Sequence, residues 1–460
     1  MTQFSTRTLA GWGNYPTQEC HVYRPEKRRD LSALAATNDQ RSFIARGLGR
    51  SYGDAALNDG AGVILQERLG RFLDFDPNSG VLSCEGGATF ADILDTFLPR
   101  GFFLPVTPGT KYVTVGGAIA ADVHGKNHHR DGTLAEFVLD FQLLLASGET
   151  ILCSRDENPE AFWATIGGMG LTGIITKARL SLVPVTSAYI SAHYKRAQNL
   201  DEALEQFDSD DQYQYSVAWI DCLASGDSLG RSVLIRGDHA THDEVFDDDC
   251  YHPLRVSHKK KKNVPLPFPD FALNPMSVKA FNAAYYASHP DGHALVDYDS
   301  FFYPLDAVQN WNRIYGKRGF VQYQVAFPTS TSRAGLVELL GKISASGRAS
   351  FLAVLKSFGA QNNGLLSFPF AGHTLALDLP NSGDDLIPFM RELDEIVLRH
   401  DGRLYLAKDA TMSPETFAAM YPRLNEFREI KNRLDPDERW ASSLSKRLGI
   451  TSKGNVGGEA

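Results

Sequence analysis

The sequence predicts an α+β fold in two domains. The chain has 460 residues, more than one hydrophobic core ordinarily organises. Three glycine-bearing stretches, ARGLGRSYGD, PGTKYVTVGGAIAADVHG and IGGMGLTGIITKARLSLVP, all fall before residue 186. Beyond it, strand and helix patterns mix in one block, as in a domain built on an antiparallel sheet, and the tail is mostly helical. The boundaries fall at 1–186, 187–401 and 402–460.

Taken in order, the chain to about Asp30 is loop-rich. Ser42 to Ala45 is a short buried strand that runs into the loop Arg46 to Asp54. Its glycines (Gly47, Gly49, Gly53) match neither a dinucleotide GxGxxG nor a Walker loop. Val63 to Leu65 and Gly80 to Gly86 are further strands, and Thr89 is an N-cap for a helix from Phe90 to Leu98.

The stretch Pro105 to His129 is the centre of the chain. Val115 to Ala121 is a short helix of small residues, and a polar cluster of His124, Lys126, Asn127, His128 and His129 stands at its far end. Glycine lets backbone approach a ligand closely. Phe137 to Ala146 and Glu149 to Ser154 form a hairpin around Ser147-Gly148. Asn158-Pro159 opens a helix through Ile166, and Gly173 to Pro184 is a β-branched strand.

In the second block the strands are Tyr189 to Tyr194, Tyr213 to Asp221, Ser232 to Arg236, Gly319 to Phe327, Ser350 to Phe358 and Thr374 to Leu379. Helices are Leu200 to Phe207, Ser277 to Tyr286, Ser332 to Ser344 and Asp384 to Arg399. Alternation in Val321 to Val325 places Gln322 and Gln324 on one strand face, where two amides suit hydrogen bonding to a sugar better than a core. An insert, HKKKK at 258–262 followed by VPLPFPDFAL, reads as a mobile linker or as a contact with an anionic membrane through its lysines, Phe268 and Phe271.

Composition narrows the function classes. A formal net charge of −9 speaks against nucleic acid as a partner. No apolar run approaches a membrane span, and the N-terminus lacks a signal-peptide core. A cytoplasmic location is the expectation, either free or peripheral on the inner membrane. Five cysteines without a CxxC point to reduced structural thiols. His124, His128 and His129 have no carboxylate or thiol at ligand spacing, so no metal is expected.

The three glycine stretches in this order resemble those of the FAD-binding oxidoreductases of the vanillyl-alcohol-oxidase type. The resemblance implies the two-domain PCMH-type fold, with the antiparallel-sheet substrate domain inserted before the C-terminal segment that completes the FAD domain. The FREIKNRLDP run ending at Pro436 looks like the lysine-to-Asp-Pro signature that closes such proteins. RGLGRSYGD, VHGKNHH, FFYPLDAVQNWNRIYG, VQYQ, FLAVLKSFG and RLYLAKDA are together similar to the branch that oxidises polyprenylphosphoryl ribose.

That resemblance implies FAD held by Ala45, Arg46, Gly47, Leu48, Gly49, Arg50, Ser51, Tyr52 and Gly53 of the first loop. From the second stretch it adds Gly109, Thr114, Val115, Gly116, Gly117, Ala121, Asp122, Val123, His124 and Gly125, and from the third Gly170, Gly173, Ile174 and Ile175. Tyr405 completes the set. Arg50 stands where some relatives carry a flavin-linking His, so the FAD is expected to be non-covalent. Ala376 stands where mycobacterial members carry a Cys, so a thiol-seeking reagent is expected not to couple.

Oxidising a secondary alcohol removes a hydride from carbon and a proton from oxygen; the cofactor takes the hydride and protein supplies position and charge. Lys408, on the strand before the closing helices, is the candidate cation or hydroxyl contact. His124 is a candidate proton acceptor, and Tyr52 packs on the flavin or bonds the sugar. Lys126 is a phosphate anchor, and Trp219, Tyr303, Gln322, Gln324 and Lys356 roof the pocket. The implied reaction is oxidation of the 2-hydroxyl of a polyprenylphosphoryl-β-D-ribofuranose, completed by an NAD(P)H-dependent keto-sugar reductase, with a quinone or oxygen as electron acceptor. An oxidase of soluble sugar alcohols or aldonolactones is the same-fold alternative, and a non-catalytic flavin- or glycolipid-binding subunit is the rival from another class.

Overall fold

A computed structural model describes residues 4–36, 41–209, 212–245, 252–256, 260–269, 273–348 and 352–452. Cys250, His258, Lys259, Ser350 and Phe271 lie outside the described residues.

Two sheets occupy the first part. A four-stranded one runs Ser5–Ala10, Thr17–Tyr23, Gly62–Leu65, Phe43–Arg46, with the first pair antiparallel and the others parallel. The second is antiparallel: Phe72–Asp76, Val81–Glu85, Ile174–Ser181, Val138–Leu144, Thr150–Ser154. The chain before Asp30, expected to be loop-rich, therefore contains a hairpin. Its strands carry polar residues on both faces, so apolar alternation does not mark them. The Ser147-Gly148 turn is longer than expected. Gly148, at φ +87°, follows a turn closed by its N–H to Leu145 O, and Leu145 N donates to Glu149 O. This is a three-residue loop with glycine in the left-handed position.

The third sheet has eight antiparallel strands, in the order Gly292–Asp297, Tyr189–Ala197, Ser232–His239, Tyr215–Ile220, Ala353–Phe358, Gly372–Pro380, Phe320–Pro328, Arg403–Leu404. Helices Ser332–Ser346 and Leu386–Arg399 pack on one another, and their buried leucines join the core beneath this sheet. Its other face is ordered by register. Val217 pairs with Ile235, Trp219 with Val354, Val354 with Ala376, Lys356 with Thr374, Gln324 with Ala376 and Gln322 with Asp378. Alternate residues share a face, so these side chains converge over the glycine loops.

Glycines make the seams between the parts. A Cβ on Gly47 would fall 2.3 Å from Thr114 Oγ1, and one on Gly53 would fall 2.0 Å from Asp409 O. The first loop is thus pressed against both the second stretch and the closing segment, where any side chain would force them apart. Cys20, Cys84, Cys153 and Cys222 are buried free thiols. No helix among the described residues is long and apolar enough to cross a membrane.

Candidate active site

A cavity of about 400 Å³ lies between the glycine loops and the eight-stranded sheet. That size is typical of a small-molecule site. From the first loop, Ala45, Gly47, Leu48, Gly49, Arg50, Ser51 and Tyr52 line it. Gly109, Thr114, Gly116, Gly117, Ala121, Val123, His124, Gly125 and Lys126 follow from the second stretch. Gly170, Gly173, Ile174 and Ile175 come from the third, with Tyr405 and Lys408 from the closing segment. Trp219, Gln322, Gln324 and Lys356 form the roof.

Five expected site residues do not line it. The Arg46 guanidinium turns away and donates to Ala10 O and Ala56 O, bracing the N-terminal hairpin. Gly53 packs on the Asp409 backbone. Val115 is fully buried in the apolar core. The carboxylate of Asp122 accepts from Asn362 and Ser367 and ties the loop to the segment before Gly372. Tyr303 is buried with its hydroxyl 2.6 Å from Thr107 Oγ1, and it is Phe302 that reaches the cavity. Lys408 sits in a turn after the two-residue strand Arg403–Leu404, not on a strand, its N–H donating to Tyr405 O.

The polar cluster after the short helix divides. Asn127 donates to Pro105 O and to Asp131, His128 Nδ1 accepts from Gly359 N, and His129 Nε2 lies 3.1 Å from Tyr213 O. These three hold the loop, and only His124 and Lys126 reach the cavity.

Three lysines meet there. Lys126, Lys356 and Lys408 all line the cavity and are half-buried, and desolvation lowers all three: Lys126 to about 7, Lys356 to about 8 and Lys408 to about 7. Lys356 lowers the other two further, while the Asp378 carboxylate raises Lys408. Lys408 Nζ stands 3.9 Å from the centre of the Tyr52 ring. Lys126 donates to Phe301 O and lies over the Phe301 ring.

Asp378 was not anticipated. It is wholly buried, accepts from Gln322 Nε2 at 2.7 Å and from Tyr315 OH at 3.0 Å, and burial pushes it up to about 7. A carboxylate inside the apolar strand pattern GHTLALDLP, two residues from Ala376, was the available signal. Trp12, Gln66 and Trp311 also line the cavity unannounced. Trp12 reaches it because its N–H donates to Ser51 O, and it stacks under Arg50 at 3.8 Å.

His124 sits among Phe358, Phe368 and Tyr405, and burial first, then Lys356, His128 and Lys408, hold its imidazole well below the ordinary value. Its Nε2 is 3.0 Å from Gln324 Nε2. The amide also reaches Thr374 Oγ1, whose own proton goes to Val325 O at 2.7 Å. Thr374 can then only accept from Gln324, which fixes the amide nitrogen on that side. The second amide proton goes to His124 Nε2, leaving the ring proton on Nδ1, which has no protein partner. His124 is therefore neutral, with its proton on a buried Nδ1 that has no protein partner, and Nδ1 is not a base.

Comparison with known proteins agrees with this geometry. Residues 21–154 match the family model described as FAD binding domain, and residues 381–448 match D-arabinono-1,4-lactone oxidase. The chain is 38% identical over 456 residues to decaprenylphosphoryl-beta-D-ribose oxidase of Mycolicibacterium smegmatis, covering 97% of this chain and 99% of that one. This chain belongs to the decaprenylphosphoryl-β-D-ribose oxidase family. More distant relatives are L-gulono-1,4-lactone dehydrogenase of Mycobacterium tuberculosis (21% identity, 95% of this chain and 98% of that one) and cytokinin dehydrogenase 2 of Arabidopsis thaliana (31% identity, 35% and 33%).

As a member of that family it is an FAD-dependent oxidoreductase. The residues present fit the cofactor. The cavity floor is glycine and backbone over an extended path, Gly109 has nothing within 4 Å of a built Cβ, and the buried Gln66 Nε2 and His124 Nδ1 lack protein partners.

Proposed function

We propose that this chain oxidises the 2-hydroxyl of a polyprenylphosphoryl-β-D-ribofuranose to the 2-keto sugar, the first half of an epimerisation. The observation that carries this is the lysine trio. Three lysine side chains lining one cavity, in an acidic chain, suit a phosphodiester and a sugar hydroxyl. The name of the mycolicibacterial relative supplies the same substrate class.

Bound FAD supplies the hydride acceptor. Lys126 and Lys356 hold the phosphate, the Gln322 and Gln324 amides orient the sugar, and Tyr52 and Trp219 flank it. Lys408 takes the hydroxyl proton, since an amine poised near neutral pH is the effective base there. The chain divides for this purpose at 1–186, 187–401 and 402–460. An NAD(P)H-dependent reductase completes the epimerisation, and a quinone or oxygen re-oxidises the cofactor.

The lactone oxidase match at 381–448 favours a second reading, oxidation of soluble aldonolactones. Anaerobic mixing separates the two: a polyprenylphosphoryl ribose bleaches the flavin within a turnover, and lactones and free polyols do not. Bleaching by a lactone alone would reverse the assignment.

The FAD is held without a covalent bond, because Arg50, stacked between Trp12 and Tyr112, offers no nucleophile. Heating the yellow protein is expected to leave the colour in the supernatant after the precipitate is removed. Colour that pellets with the protein would contradict this.

Asp378→Asn tests the base. Asp378 raises the Lys408 ammonium, so its neutralisation lowers that value further. A rate that needs neutral Lys408 rises through its pKa as pH increases. The acid limb of the kcat/KM profile is therefore expected to move to lower pH, with a lower plateau because the base is weaker. An acid limb that stays in place would exclude Lys408 as the titrating group.

A further inference from the structure

Lys408 and Tyr52 each stand just before a buried carboxylate that the chemistry leaves unused. Asp409 follows Lys408 directly, and Asp54 follows Tyr52 after one glycine. Both are 3% exposed, and neither lines the cavity. The two segments run side by side. Tyr52 N donates to Ala407 O at 3.0 Å, and a Cβ on Gly53 would fall 2.0 Å from Asp409 O.

A side chain from the far end of the chain holds both carboxylates. Arg447 is the last residue of the helix Ser443–Arg447. Its Nε and Nη2 donate to Asp54 Oδ2 and Oδ1 at 2.9 and 2.8 Å. The same Nη2 stands 2.9 Å from Asp409 Oδ2, and Nη1 donates to Met412 O at 2.7 Å. All three nitrogens of the fork are thus in use. The other oxygen of Asp409 accepts from Thr411 N and Met412 N, each at 2.9 Å, which fixes the turn after Lys408.

The cluster also reaches the roof. Asp394 is 1% exposed and accepts from Tyr323 OH at 2.9 Å. Burial first, then the Asp409 charge, pushes Asp394 up to about 7. Tyr323 lies between Gln322 and Gln324 on the strand Phe320–Pro328, on the opposite face. The first loop, the closing turn and the glutamine strand, which all carry cavity residues, therefore meet at one guanidinium and its carboxylates. A planar fork can grip two carboxylates and a carbonyl together, and a single ammonium cannot.

We propose that Arg447 is a positioning residue for the oxidation, which fixes Lys408 relative to Tyr52 by holding Asp409 and Asp54 in one grip. This rests on the reading of Lys408 as the group that takes the hydroxyl proton. Arg447 does not line the cavity and acts through the backbone of the two segments. Lys408 Nζ stands 3.9 Å from the centre of the Tyr52 ring, so its place depends on how those segments are held. Proton transfer needs hydrogen-bond reach, and a misplacement of about 1 Å at reacting groups costs on the order of a hundredfold in rate.

The test is a single anaerobic turnover of the FAD-loaded full chain with a short-chain polyprenylphosphoryl ribose. Arg447→Lys keeps the charge and loses the fork. It is expected to bleach the flavin about 10–100-fold more slowly, with bound-FAD absorption kept and KM within about twofold. The charges acting on Lys408 are those of Asp378 and Lys356, so the acid limb of kcat/KM is expected to stay in place while the plateau falls. A limb that moves would show action by charge and overturn the proposal. Lys446→Gln is the control for stability, because Lys446 Nζ ties the same helix to Asn58 Oδ1 at 2.8 Å. It is expected to lower the denaturation midpoint and keep the wild-type rate. Equal slowing by Lys446→Gln would reduce the effect to general loosening and end the positioning role. If Arg447→Lys does not hold FAD, Asp409→Asn asks the same question. Its amide oxygen still accepts from Thr411 N and Met412 N while the charge that Arg447 grips is gone, and the same slowing is expected; a wild-type rate there would overturn the proposal. Lys408→Met/Arg447→Lys is expected to bleach no more slowly than Lys408→Met alone, since no amine is left to place. Losses that multiply would show that Arg447 acts by another route. Failure of the Lys408 reading itself appears separately, as wild-type bleaching by Lys408→Met with Arg447 intact.

Discussion

Lys408→Met is expected to lower kcat by about 10²–10⁴-fold, the range for removal of a positioned acid–base group, with FAD still bound. The side chain reaches the cavity from a turn that Tyr405 and Gln324 anchor, through Tyr405 N donating to Gln324 O and Lys408 N to Tyr405 O. Methionine keeps an apolar stem of similar length while removing the ammonium that stands over the Tyr52 ring. Loss of fold is therefore not the cause of lost activity. The measurement is the rate of flavin bleaching in a single anaerobic turnover, beside the absorption of bound FAD. A variant that bleaches at the wild-type rate would remove Lys408 from the chemistry. Lys408→Arg should not restore the rate, because a guanidinium stays protonated and cannot accept the proton.

The fold was legible where a local rule had one outcome. Thr89 caps its helix, its side chain accepting an N–H at the third helical residue, and Pro159 opens its helix at the first position. The hairpin before Asp30 was missed because neither strand shows one apolar face. Strand Gly292–Asp297 was missed because, as an edge strand, it is half-exposed along its length.

In the site, glycine loops and the Gln322–Gln324 pair were readable because each is a local pattern. Asp378 was not, because its meaning depends on register: only the pairing of Gln322 with Asp378 across two strands brings amide and carboxylate together. The role of His124 likewise turned on Thr374, 250 residues further along the chain, whose proton is committed to Val325 O. Arg46, Asp122 and Tyr303 illustrate the converse. A polar residue within a binding motif can be spent on bracing the loop, and the sequence alone does not separate the two uses.

Asp435→Ala is expected to destabilise the protein by about 3–5 kcal/mol, the cost of stranding one partner of a buried ion pair. The FREIKNRLDP run has a structural meaning here. Lys431 Nζ donates to Asp435 Oδ2 at 2.8 Å with both side chains essentially inaccessible. The same carboxylate accepts from Arg439 N and Trp440 N, each at 2.8 Å. That fixes the turn carrying Trp440, which packs with Tyr23, Leu31, Phe43 and Ile64. Phe43 N donates to Arg439 O and Ala441 N to Phe43 O, so the turn covers the free edge of the strand Phe43–Arg46. That strand feeds directly into the first glycine loop. Removing the carboxylate leaves a buried ammonium and two amides without partners, and loosens the edge on which the cofactor loop depends. The expected result is FAD release at a lower temperature than in wild type, together with a lower denaturation midpoint. The double variant Lys431→Met/Asp435→Asn should recover much of the loss, because it strands no charge. An Asp435→Ala protein that keeps both its FAD and the wild-type midpoint would show that the closing segment does not brace the loop.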